Sequence, residues 1–208
     1  MTAIKSIVFD MDGVLIDARE WHYEALNRAL ELFGYTIQRH EHLTTFDGLP
    51  TRKKLEILTA LRGLPESLHG FVNEMKQLYT TEIIHTKCKP VFKQEYALAQ
   101  LRKDGYRLAV ASNSIRSTVG LMMNKAALED YLEFQLSNED VKQAKPNPEI
   151  YSRAIELMGV APHECLIIED NENGIKAAKA SGAHVMVVHD VSDVNYPAVK
   201  ETIRQIQG

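Results

Sequence analysis

Asp10 and Asp12 stand two positions apart, directly after the apolar run Ile7-Val8-Phe9 and just before Gly13. A strand buried on both faces that ends in two carboxylates is costly unless those charges are paired or bind a metal. Side chains alternate along a strand, so both acids can lie on one side with Met11 turned away. Gly13 then lets the backbone turn, or approach a ligand closely. The pattern D-x-D-G also reads as a turn or as half of a calcium loop. The EF-hand form fails, because no bidentate Glu stands at its twelfth position and no helix precedes it.

Two further apolar runs end in polar clusters of the same kind. Leu108 to Ala111 leads into Ser112-Asn113-Ser114, and Leu166 to Ile168 leads into Glu169-Asp170-Asn171. Alone, the Ser-Asn-Ser triplet reads first as a helix N-cap. The same hydroxyl and helix-terminal N–H groups would bind a phosphoryl oxygen. Glu169 and Asp170 read either as a cap for the helix near Gly174 or as oxygen ligands for a hard cation. Lys145, in Q-A-K-P-N-P, reads as a solvated loop lysine or as an ammonium held in place by stiffening prolines.

The elements that must position these groups alternate. Apolar runs occur at Ile7 to Phe9, Leu108 to Ala111, Phe134 to Leu136, Leu166 to Ile168 and Val185 to Val188. Helical spacing occupies Val91 to Lys103, Ser117 to Ala126, Pro148 to Met158 and Gly174 to Ser181. This alternation predicts an α/β fold with a doubly wound parallel sheet. Ligands bind such sheets at the carboxyl ends of the strands, where all three polar clusters fall. Between about 16 and 86 the pattern is helical throughout. Helices are expected over Asp17 to Gly34, with Asp17 and Glu20 as a capping box, over Thr51 to Arg62, and over Glu66 to about Ile84. The expected organisation is therefore a core of 1–15 and 87–208 with an all-α insertion at 16–86.

Composition narrows the function classes. With 28 acidic and 24 basic residues the net charge is −4, so nothing suggests a nucleic-acid binder, and any phosphate site must be local. Cys88 and Cys165 have no metal-finger spacing, and two lone thiols suit a reducing compartment. No signal peptide or membrane-length apolar run is read, so a soluble, cytoplasmic chain without membrane contact is expected.

The segments V-F-D-M-D-G-V-L-I-D, A-S-N-S, K-P-N-P and I-I-E-D-N-E-N-G-I resemble, in order and spacing, the four motifs of the haloacid dehalogenase superfamily. The resemblance covers essentially the whole chain and is nearest to the phosphatase and β-phosphoglucomutase-like branch, whose helical cap lies between the first two motifs. Dehalogenases proper lack the second aspartate, so Asp12 points to phosphoryl transfer. The resemblance implies that Asp10 is the nucleophile and Asp12 the general acid and base. It implies Mg²⁺ on Asp10, the Asp12 backbone carbonyl, Glu169 and Asp170. Ser112 and Lys145 would hold the transferring oxygens, with Asn113 and Ser114 beside them.

The same resemblance makes the insertion a lid with His22, Arg52 and Lys76 as substrate contacts. His22 reads equally as a packing histidine, and Arg52 as a solvated residue of a first helical turn. The function implied is a Mg²⁺-dependent phosphatase for a small phosphorylated metabolite, by class a sugar phosphate, working through an aspartyl-phosphate. The alternatives are a β-phosphoglucomutase-like mutase and, more remotely, a silent binding protein on the same fold. The mutase is weakened because Ile115 follows Ser114 where those enzymes typically have lysine, leaving Arg116 as the substitute on the substrate side. A receiver-type switch has no use for 70 residues of helical insertion. A monomer or weak homo-oligomer is expected.

Overall fold

The computed structural model describes residues 3–208. The chain divides into two compact units, one of residues up to Asp17 together with Lys89–Gly208, the other Ala18–Cys88.

The first strand, β1 (Ser6–Phe9), is buried at all four positions. Ile7, Val8 and Phe9 are fully excluded from water, worth roughly 1.5–3 kcal/mol each. After it the chain doubles back tightly. The Met11 carbonyl accepts from the N–H groups of Leu15 and Ile16, and Gly13 N–H donates to the Ile16 carbonyl. Gly13 sits at φ +90°, a backbone that a side chain would strain.

The helical unit contains α1 (Arg19–Glu31), then a short α2 (Arg39–Glu41) that runs into a wider turn over His42–Phe46. It continues with α3 (Thr51–Arg62), ended by Gly63 at φ +68°, a 3₁₀ turn over Glu66–Leu68, and α4 (His69–Lys87). Leu26, Leu30, Phe46, Leu58 and Val72 belong to its own apolar core. The Asn27 amide fastens α1 to the following loop, accepting from Ile37 N–H at 2.8 Å and donating to the Ile37 carbonyl at 3.0 Å. The expected capping box does not form. The first helix begins at Arg19 behind Ala18, which makes no side-chain cap bond.

The remaining chain supplies α5 (Phe92–Lys103), β2 (Arg107–Ala111), α6 (Arg116–Lys125), β3 (Phe134–Leu136) and α7 (Glu149–Met158). It closes with β4 (Cys165–Glu169), α8 (Glu172–Ala180), β5 (His184–Val187) and α9 (Tyr196–Gln207). The five strands form one parallel sheet in the order β3-β2-β1-β4-β5. The fold is the expected doubly wound α/β sheet. Its C-terminal helix is an addition, capped by Asn195, whose side chain accepts from Ala198 N–H at 3.0 Å. No helix among the described residues is long and apolar enough to cross a membrane.

Candidate active site

Register decides what meets at the sheet edge. Phe9 pairs with Val110 on one side and Ile168 on the other, so β1 ends one residue short of β2 and β4, and Asp10 falls level with Ala111 and Glu169. Ser112 and Asp170 follow one residue on, so the polar groups converge from three distant stretches of sequence. Asp10 and Ser112 extend the ladders, donating to the carbonyls of Ile168 (2.9 Å) and Leu136 (3.0 Å).

Lys145 enters from the loop before α7 and reaches into this edge, with 4 % of its surface exposed. Four acceptors share its three protons: Nζ lies 2.5 Å from Asp10 Oδ1, 2.8 Å from Glu169 Oε1, 2.8 Å from the Ala111 carbonyl and 2.7 Å from the Tyr151 hydroxyl. The loop is itself fixed. Asn113 Oδ1 accepts from Lys145 N–H at 3.1 Å, its amide donates to the Lys145 carbonyl, and Glu149 accepts from the N–H groups of Lys142 and Gln143. Asn113, expected beside the substrate, thus clamps the main chain of the lysine.

Asp12 is half-buried, while Met11 between the two acids is fully buried in the core. Ser114 Oγ donates to Asp12 Oδ2 at 3.1 Å, and Ser112 Oγ lies 3.5 Å from the same oxygen. Ser112 Oγ also accepts from Ser114 N–H at 3.0 Å, closing a turn inside the triplet, but the triplet does not cap α6, which begins at Arg116 behind Ile115 with no side-chain cap bond. The second aspartate is held by hydroxyls rather than by the lysine.

Asp10, Glu169 and Asp170 each offer a carboxylate oxygen, all within 4.8 Å of one another. Burial drives the Asp10 carboxyl well above its ordinary range. Lys145 opposes that shift, and the charges of Glu169, Asp170 and Asp12 add to it. Burial alone would lower the Lys145 ammonium, but Asp10 and Glu169 outweigh it and hold the lysine above its usual value. Four carboxylates around one ammonium leave the site with excess negative charge. An all-oxygen donor set with that imbalance fits a hard divalent cation.

The other expected residues lie elsewhere. Arg116 is turned to the surface at the start of α6, where its guanidinium meets Asp140 at 2.7 Å and its N–H donates to Glu139. His22, Arg52 and Lys76 belong to the helical unit. Lys76 is buried with its Nζ 3.4 Å from His22 Nδ1, whereas the exposed Arg52 pairs with Glu56 one turn along α3. Tyr151 was not singled out by the sequence. Within α7 it has the helical spacing of an ordinary core aromatic, yet its hydroxyl donates to Glu169 Oε1 at 2.6 Å.

Residues 7–188 match the haloacid dehalogenase-like hydrolase family. The chain is 31 % identical over 197 residues to a phosphorylated carbohydrates phosphatase of Thermotoga maritima, covering 91 % of this chain and 88 % of that protein. It is 28 % identical over 192 residues to a phosphoglycolate phosphatase of Nitrosospira multiformis, covering 89 % and 83 %. A β-phosphoglucomutase from Clostridium difficile shares the fold, with a TM-score of 0.83 at 20 % identity over 97 % of this chain and 98 % of that one.

Proposed function

Because the chain belongs to the haloacid dehalogenase-like hydrolases and is a phosphatase, we infer that it hydrolyses a small phosphorylated metabolite, by class a sugar phosphate, through a phosphoryl group carried on Asp10. The observation that carries this reading is the different bonding of two aspartates at one strand end. Asp10 is buried against Lys145, and Asp12 is half-buried against two hydroxyls.

Asp10 attacks phosphorus in line, and the bond from phosphorus to the ester oxygen breaks. Asp12 gives its proton to that departing oxygen, then takes one from water as the water attacks the aspartyl-phosphate. The bond between Asp10 and phosphorus breaks, the carboxylate is regenerated and inorganic phosphate leaves. Lys145 and Ser112 hold the transferring oxygens where charge accumulates. Asp10, Glu169 and Asp170, with the Asp12 main-chain carbonyl, would hold Mg²⁺, which offsets the repulsion between a carboxylate and a phosphate monoester.

His22, Arg52 and Lys76 are carried as contacts for the remainder of the substrate. The name of the Thermotoga maritima relative supports a carbohydrate ester. Hydrolysis is preferred to a mutase reaction because Arg116, the substitute for the missing lysine, is engaged with Asp140. The test is phosphate release from a panel of sugar phosphates and phosphoglycolate. Chelation should abolish release, added Mg²⁺ should restore it, and a phosphoryl adduct should be trapped on Asp10. Full activity after thorough chelation, or unchanged turnover in Asp10→Asn, would overturn the reading.

A further inference from the structure

Glu169 is 1 % exposed, and four donors hold it. Its Oε1 receives Lys145 Nζ at 2.8 Å and the Tyr151 hydroxyl at 2.6 Å. Its Oε2 receives the N–H groups of Asp170 at 3.0 Å and Asn171 at 3.2 Å. The direction of the Tyr151 bond is forced. A charged lysine has no lone pair, so the hydroxyl accepts from Lys145 and sends its own proton to Glu169. The phenol thus ties the lysine to the acid and fixes both.

The opposite side of Glu169 lies against bare backbone. A Cβ built on Gly174, in the first turns of α8, would fall 1.7 Å from Glu169 Oε1 and 2.0 Å from its Cδ. No real side chain fits there while the carboxylate stays where it is. Glycine is a poor helix residue, so helix formation alone would favour alanine at this position. The space it leaves is filled by the carboxylate.

We propose that Tyr151 and Gly174 are positioning residues of the phosphoryl-transfer site, the phenol by bridging Lys145 to Glu169 and the glycine by admitting the Glu169 carboxylate against α8. Neither touches the substrate. Both act by presenting Glu169 and Lys145 in one orientation to the ion and the transferring group. The proposal rests on the phosphatase reading for its kinetic arm alone.

Tyr151→Phe is the primary test, because the ring is fully buried and Phe keeps its packing and its face toward Lys145. The expected result is a fall in kcat of about 10–100-fold with KM little changed, the scale seen when a group supporting metal ligands is lost. Mg²⁺ affinity, measured by calorimetry on the substrate-free full chain, should weaken alongside. Gly174→Ala is the second variant. It should lose activity and Mg²⁺ affinity, and its melting temperature should fall, because the added Cβ must displace a buried carboxylate that four donors hold. A merely structural role would lower the melting temperature and leave kcat and Mg²⁺ binding alone. Wild-type kcat and Mg²⁺ affinity in Tyr151→Phe, or in Gly174→Ala, would overturn the proposal. Should the wild-type chain release phosphate from no ester, the phosphatase reading fails instead, and the Mg²⁺ titrations of the two variants still decide the role of Tyr151 and Gly174.

Discussion

Replacing Lys145 with methionine removes a charge while keeping a side chain of similar length. Asp10 Oδ1 and Glu169 Oε1, both now on that ammonium, would be left facing each other in the interior. Whatever protons the wild-type site holds, the variant must hold one more to keep the same charge. A carboxyl with the ordinary aspartate value of 3.8 sits 3.2 units below pH 7, so keeping it neutral there costs about 4 kcal/mol. That agrees with the roughly 3–5 kcal/mol typical of breaking a buried pair. At pH 5 the gap is about 1.2 units and the cost about 1.6 kcal/mol. The sign follows from linkage. The folded variant binds a proton that its unfolded chain releases, so stability present near pH 4 is lost as pH rises. For a chain of this size, the melting temperature should drop by about 8–16 °C at pH 7 and about 3–6 °C at pH 5. The assay is thermal unfolding of both proteins in EDTA, which keeps metal from substituting for the lost ammonium. A drop below about 3 °C at pH 7, or one as large at pH 5, would refute the reasoning.

Asp12→Asn should lose about 10²–10⁴-fold in turnover yet still accept a phosphoryl group from an acyl or aryl phosphate. Mass spectrometry should find a long-lived adduct on Asp10, and an adduct anywhere else would contradict the assignment. Arg52→Ala should impair hydrolysis of the preferred sugar phosphate far more than that of a small aryl phosphate, and equal losses would remove Arg52 from substrate recognition. Burial pushes the Cys165 thiol up to about 11, so iodoacetamide at pH 8 should leave it unmodified until the chain is unfolded. Rapid alkylation of Cys165 itself in the native protein, separated from Cys88 by peptide mapping, would show that β4 opens readily.

The sheet was legible because parallel strands buried on both faces are written as unbroken apolar runs. Each of the five expected runs lies within two residues of a strand. The convergence of Asp10, Ser112 and Glu169 followed from strand ends alone. Other features depend on contacts that linear spacing does not record. Tyr151 stands beside Ile150 with Ala154 and Ile155 one turn on, indistinguishable from core until the sheet brings Glu169, 18 positions later, to its hydroxyl. Asn113 read as a phosphate-side amide, yet the Lys145 loop folds over and takes both of its polar atoms. The start of α1 was misjudged because the loop after β1 satisfies itself through the Met11 carbonyl. By contrast, α9 carried a readable signal in Asn195 and Pro197 followed by Val199 and Ile203, the last two buried.

The central place of β1 in the sheet bears on how the protein is made. Val8 pairs with Ala109 and with Ile167, the second of these 159 positions further along. At ribosomal speeds of about 5–20 residues per second, on the order of 8–30 s pass between synthesis of β1 and synthesis of its last neighbour. The helical unit is one continuous stretch, Ala18–Cys88, whose partners emerge close together. Nascent chains stalled before Cys165 should therefore carry a protease-resistant helical unit and a cleavable β1, and resistance of β1 at that stage would disprove this order. Asp10 leaves the ribosome early and waits for most of the chain before it has a site to work in.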